Sequence, residues 1–308
     1  MPAVLVLLAA MCFGTTGTAL ALGPADVSPV GAGAIRIVLG GAILGGLLLV
    51  RRPSGPPPPP DGDGATRRIP TVALVVIGAL AVVAYQPAFF LGTTRIGVAV
   101  GTIVALGSAP VFTGIAEWIV SRRFPGLVWT VATIVAVGGV ALLASGTEAG
   151  VTVDPAGLGG SLLAGASYGV YALVAKVLIT RGADPAWTMG ALFGLAALAS
   201  IPLALGTDLR WLTTVDGVAV ALWLGVVTTA VAYLLFGRGL AGLSASSASS
   251  ITLAEPLTAA LLGLLLLGER LGLSALAGVV VIALAIVVLV VPWPRIARSG
   301  RASAGDGA

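Results

Sequence analysis

Ser244 to Leu271, SASSASSITLAEPLTAALLGLLLLGERL, is the stretch that most restricts what this chain can fold into. From Ala245 to Leu267 it is apolar or small, apart from Glu255 and scattered hydroxyls. At about 1.5 Å of rise per residue, such a run crosses a bilayer core of about 30 Å. Glu255 then falls near mid-depth, where an ionised carboxylate costs about 3 kcal/mol and is tolerated facing a bundle interior or a wet cavity. Pro256 beside it removes a backbone donor and loosens the helix at the same level.

The rest of the chain reads as membrane too. Charged residues are 9% and hydrophobic residues 58% of 308, whereas a soluble domain is about one quarter charged. The 44 glycines suit helices that pack closely through small side chains. Cys12 stands alone and there is no His, which excludes an intrachain disulfide and the usual zinc ligand sets. Breaks at Pro, Gly and charge divide the chain into ten spans: Pro2–Leu22, Ser28–Val50, Pro70–Gly92, Gly97–Val120, Leu127–Gly146, Ala156–Ile179, Pro185–Gly206, Asp216–Gly237, Ala245–Leu267 and Gly272–Pro292. The first is expected to be a retained helix and not a signal peptide, because no basic residue precedes it and no small-residue cleavage site follows.

With the amino terminus placed in the cytoplasm, 12 of the 16 basic residues fall on the inner side, three (Arg95, Arg210, Arg270) on the outer side, and Arg36 within a span. That bias predicts cytoplasmic termini by the positive-inside rule. The Pro-rich segment over 51–69 then reads as an extended cytoplasmic linker, and 293–308 as a disordered cytoplasmic tail.

Two halves show when the spans are overlaid. Phe90, Ala99, Pro110, Gly126 and Leu127 recur 146 residues later as Phe236, Ala245, Pro256, Gly272 and Leu273. The segment from Gly14 to Leu20 lies over Ser167 to Leu173 at a spacing of 153, the longer linker of the first half lying between these anchors. Each half, 1–146 and 156–292, has five spans. An odd number inserts the second half upside down. The expected fold is an all-α integral membrane protein with ten transmembrane helices in two inverted five-helix repeats, the build of a secondary transporter with its site at the repeat interface.

The early FGTT segment, the Arg in the second span and above all AEPLTAALLGLLLLGERL, a Glu-Pro followed by an apolar run and Gly268-Glu269-Arg270, resemble the EamA branch of the drug/metabolite transporter superfamily. The resemblance covers nearly the whole chain. It implies ten helices around a central cavity and ATP-independent movement of small metabolites, often outward. The first half departs from the motif: Ala109 stands in the place of Glu255 and Arg123 in that of Glu269, so a two-fold symmetric proton or substrate site is not expected.

Candidate site residues follow from polarity at depth. Glu255 is the candidate for substrate binding and for proton coupling, since a carboxylate can take up and return a proton. Arg36 lies about 12 Å from the outer end of its helix and Glu255 about 18 Å from that of its own. These compatible depths suggest that Arg36 lines the cavity and pairs with Glu255 or holds an anionic substrate group; an Arg tied to backbone carbonyls is the structural alternative. Thr15 and Thr18 share a helix face, as do Tyr168 and Tyr171 in the other half. Tyr85, Gln86, Trp223 and Tyr233 are further amphipathic candidates. Glu117 is expected in an interfacial ion pair with Arg122 or Arg123, and Trp118, Trp129, Trp187, Trp211 and Trp293 as interfacial anchors.

The function expected is secondary transport by alternating access in the inner or plasma membrane: an exporter of amino acids, nucleosides or drug-like compounds, with protons as a candidate coupling ion. No phosphate-binding loop suggests a primary pump. No catalytic residue, metal, cofactor or nucleic-acid partner is expected beyond the lipid bilayer and a small solute; the small-residue faces permit a homodimer. A membrane-embedded enzyme acting on a lipid or small substrate is the alternative, weakened by the missing His, the lone Cys and the lack of a clustered acid pair.

Overall fold

The computed structural model describes residues 1–50, 69–144, 154–268 and 272–291. Residues 51–68 of the linker, the tail from 293 to 308, and Glu269 and Arg270 of the Gly-Glu-Arg motif lie outside the described residues.

Among the described residues there is no strand, and ten helical spans account for the chain. They are α1 (Pro2–Ala21), α2 (Pro29–Val50), α3 (Thr71–Ile96), α4 (Val98–Ser121), α5 (Leu127–Ala144), α6 (Pro155–Thr180), α7 (Pro185–Leu205), α8 (Val215–Ala241), α9 (Ala245–Leu266) and α10 (Leu273–Val290). Nine are long and apolar enough to cross a membrane; the tenth, over Leu127–Leu143, is apolar but shorter. Helix starts are fixed by local chemistry. Asp154 and Asp184 accept hydrogen bonds from the first free N–H groups of α6 and α7, each ahead of a Pro that needs no partner.

Two spans are irregular, and both irregularities reach the site. In α8 the segment Trp223–Val231 is π-helical between α-helical flanks. In α9 the helix breaks at Thr252 and Leu253, separating Ala245–Ile251 from Ala254–Leu266. Pro256 explains the break: it cannot donate to the carbonyl of Thr252, and its ring crowds that carbonyl. The N–H of Glu255 turns to Thr252 O at 2.9 Å instead.

Packing runs through small residues. α2 lies on α7, α5 on α10, α3 and α4 on α6, and α1 on α8 and α9. Where α2 crosses α7, a Cβ added to Gly45 or to Gly194 would lie 3.1 Å from the Cα of the other, so only glycine lets the backbones meet. The main apolar core gathers Phe13, Tyr171, Phe193 and Phe236 at the centre of the bundle. Lipid-facing surfaces of α4, α5 and α10 carry exposed Ile115, Ile134, Leu276 and Leu284, as hydrocarbon contact requires.

Trp211 departs from the expected interfacial anchors. It is 2% exposed inside a 3-10 turn, Arg210–Thr213, and packs in a second core with Ile35 and Leu224. Trp129 departs as well: its indole Nε1 donates to Ser250 Oγ at 2.9 Å, and its ring fills the space over Gly114. A tryptophan at a span end is an anchor when its N–H reaches the interface; these two turn inward.

Candidate functional site

A cavity opens between α1, α2, α3, α4, α6, α8 and α9. Of the residues expected at the site, Arg36, Tyr85, Gln86, Tyr168, Tyr171, Tyr233 and Glu255 line it. Arg36, Tyr85 and Gln86 come from the first half of the chain, the others from the second.

Arg36 is held on one side only. Its Nε donates to Thr229 Oγ1 at 3.1 Å and its Nη2 to Thr228 O at 3.2 Å. The Thr229 hydroxyl in turn donates to Leu224 O, five residues back, at 2.9 Å. The π-helical register of α8 thus presents a hydroxyl and a carbonyl to the guanidinium. The Phe13 ring lies 5.9 Å from Arg36 Cζ. These contacts use Nε and Nη2; among the described residues no hydrogen bond holds Nη1, and Arg36 lines the cavity.

Glu255 faces the same space from the first turn of the second segment of α9, where helix N-terminal dipoles favour a negative charge. Among the described residues no hydrogen bond or ion pair holds its carboxylate, and it forms no direct pair with Arg36. The paired arrangement expected from depth alone is therefore replaced by two opposite charges facing one cavity.

Aromatic rings complete the wall. Tyr233 lies 3.9 Å from Phe193 and 5.0 Å from Phe13 between ring centroids, and Tyr168 and Tyr171 meet edge to face at 4.9 Å. Among the described residues the buried Tyr171 hydroxyl meets no hydrogen-bond partner. Gln86 is buried, and its Nε2 donates to Gly33 O at 3.4 Å, tying α3 to α2.

Thr15, Thr18 and Trp223 do not line the cavity. Thr15 Oγ1 donates to Cys12 O at 2.7 Å in its own helix and accepts from Trp223 Nε1 at 2.9 Å, so these two residues satisfy each other beside the site. Thr18 is buried. The hydroxyls of α1 therefore do not meet those of Tyr168 and Tyr171 across the cavity. Phe13, Thr252, Thr228 and Thr229 were not expected at the site. Thr252, three residues before Glu255 and thus on the same helix face, could have been found by spacing; the Thr228-Thr229 pair carries no signal until the π register is known.

Glu117 corrects another expectation. It makes no ion pair with Arg122 or Arg123. Its Oε1 and Oε2 accept from the N–H groups of Ala245 at 3.2 Å and Ser246 at 2.9 Å. A free helix start a short distance away offers a carboxylate aligned donors, and two exposed arginines at the surface offer it little.

Comparison with known proteins agrees with this architecture. The family model "EamA-like transporter family" matches residues 1–145 and 156–291. "Uncharacterized transporter YwfM" of Bacillus subtilis is 36% identical over 285 residues, 92% of either chain. "Uncharacterized protein PA1977" of Pseudomonas aeruginosa is 29% identical over 239 residues, covering 74% of this chain and 76% of its own. A crystal structure at 16% identity superposes with a TM-score of 0.75 over 94% of this chain and 96% of its own, a likeness of fold.

Proposed function

Because the chain belongs to the EamA-like transporter family and is a multi-pass membrane transporter, we propose that it carries small zwitterionic or amphipathic metabolites by alternating access, as an exporter of the inner or plasma membrane with both termini cytoplasmic. The observation that carries this reading is that Arg36 and an unpartnered Glu255 face one aromatic-walled cavity from opposite halves of the chain. A guanidinium and a carboxylate across such a space suit a solute bearing both charges, or an anion exchanged against a proton on Glu255.

The inverted-repeat reading has support from packing. Exchanging the halves turns the α2 on α7 contact into itself, and likewise α5 on α10, while α3 on α6 becomes α8 on α1. The break in α9 beside Glu255 is the kind of helix discontinuity on which transporter sites are built, and the π-helical stretch of α8 faces the same site.

Purified protein in liposomes, loaded with pooled amino acids and nucleosides and assayed for counterflow of labelled members of the pool, tests the reading. Exchange of at least one solute without chemical change is the expected result. Conversion of solutes or lipids, seen by mass spectrometry in the absence of exchange, would replace it with the enzymatic alternative.

A further inference from the structure

Three buried polar side-chain atoms meet no hydrogen-bond partner among the described residues: Ser161 Oγ, Tyr171 Oη and Trp211 Nε1. Each has given up water without a replacement, which destabilises the fold and calls for a reason. Packing supplies the reason for two of them. Ser161 lies against Gly92 where α6 crosses α3, a close approach that demands a small side chain. Trp211 fills the second core beside Ile35 and Leu224, where the apolar area of the ring outweighs one N–H. Tyr171 is the one of the three that lines the cavity.

Packing does not account for the Tyr171 hydroxyl. Its ring stands 6.1 Å from Phe193, 6.0 Å from Tyr233 and 6.2 Å from Phe236 between centroids. A phenylalanine would keep every one of those contacts and carry no unpaired group. The neighbouring phenol of Tyr168 has spent its proton on Thr252 Oγ1. At 3% exposure, the Tyr171 hydroxyl is a buried polar group that nothing in the surrounding wall requires.

Its position relative to the charges gives it a use. Ring contacts lead from Arg36 to Phe13 at 5.9 Å, on to Tyr233 at 5.0 Å and on to Tyr171 at 6.0 Å. The wall therefore offers opposite charges at Arg36 and Glu255, a run of aromatic faces, and a neutral hydroxyl at the far end of that run. A solute that engages all three is a zwitterion whose body packs on the rings and whose distal end carries a polar, uncharged group. A distal charge would be stranded among rings, and a distal methyl would leave the phenol unpaired. We infer that Tyr171 is the specificity-determining residue of the cavity, and that it selects amino-acid-like zwitterions ending in a hydroxyl or carboxamide over their apolar counterparts. The inference rests on the transport reading above and names its substrate class.

The test uses the purified full chain and two pairs of amino acids matched in shape, L-tyrosine with L-phenylalanine and L-asparagine with L-leucine. Affinity is read from the concentration dependence of thermal stabilisation. In the parent, the polar member of at least one pair is expected to bind roughly fivefold or more tightly than its partner, the effect of one neutral hydrogen bond. Tyr171→Phe should bring that ratio to about one and, without amino acid, should melt no lower than the parent. Ser161→Ala, which removes an unpaired hydroxyl away from the cavity, should keep the parent's ratio. A parent with no such preference in either pair overturns the inference, as does a Tyr171→Phe variant that retains it. A variant that melts below the parent or fails to fold overturns it too, since the hydroxyl then has a partner within the chain. Counterflow of the same four amino acids in liposomes separates the two readings. Binding that follows the hydroxyl without counterflow refutes transport and leaves the role of Tyr171 standing; counterflow without the preference does the reverse.

Discussion

The phenol oxygen of Tyr168 lies 3.0 Å from the hydroxyl of Thr252, at the break in α9. Thr252 Oγ1 is itself a donor to Ser249 O at 2.7 Å, so Tyr168 must be the donor of the pair. The contact joins α6 to the residue whose carbonyl Pro256 leaves without its usual partner. It ties α6 to the turn three residues before Glu255.

Tyr168→Phe is therefore expected to cost about 1 kcal/mol of stability, the net value of one buried hydrogen bond. It should lower counterflow more than that loss explains. Thermal unfolding in detergent alongside transport checks it; Thr252→Val in the Tyr168→Phe background should add less than it does alone, because the shared bond is already gone.

Arg36→Lys should abolish most transport while leaving the fold intact. An ammonium can reach Thr229 Oγ1 or Thr228 O, but it cannot hold both and still present a planar edge to a solute. Unchanged counterflow in the lysine variant would reduce Arg36 to a structural tie between α2 and α8.

Gly14→Ala tests how closely α1 must approach α9. The new Cβ would lie 2.6 Å from Thr258 Cβ and 2.7 Å from Glu255 O, the second a backbone atom that cannot rotate away. A loss of about 1 to 3 kcal/mol is expected from overpacking, with a measured drop in melting temperature and in transport. Gly17→Ala, where a Cβ meets open space, is the control and should change neither.

The ten spans were legible because hydrophobic length is set by the bilayer and not by tertiary context. The depths of Arg36 and Glu255 were legible for the same reason, since rise along a helix converts position into height. What depth could not give was azimuth. Thr15 and Tyr85 both sit in apolar helices, yet one turns to its own carbonyl and Trp223 while the other faces the cavity. Nor could it foresee the π register of α8, which decides what Arg36 holds, because Trp223–Val231 has no Pro and only a single Gly, Gly225, to announce it. Glu117 was misjudged through sequence proximity: Arg122 and Arg123 are near in the chain, but Ser246 is nearer in space.

That difference is measurable. Glu117→Ala should cost about 1 to 3 kcal/mol, since it leaves two N–H groups at the start of α9 without acceptors. Glu117→Gln keeps one acceptor and should fall between the alanine variant and the parent. Arg122→Ala and Arg123→Ala should each stay within about 0.5 kcal/mol of the parent. The opposite ranking would restore the surface ion pair.

Protonation provides the last test, and two carboxyl groups keep it specific. Asp208, on the connection between α7 and α8, accepts from the Arg210 side chain and backbone N–H, which hold its carboxyl down at about 2, below the ordinary 3.8. A depressed folded value stabilises at pH above the ordinary one, and that contribution is lost as pH falls toward about 2. Asp208→Asn should thus lower the melting temperature slightly at neutral pH, converge with the parent in strong acid, and leave the pH profile of transport unchanged. Among the described residues no partner fixes the charge of Glu255, so any response of transport to a proton gradient should pass through it. Glu255→Gln is expected to bind solute yet exchange it with no response to an imposed proton gradient. If the glutamine variant responds to the gradient as the parent does, protons do not couple through this site, and the carboxylate serves only as the negative pole facing Arg36.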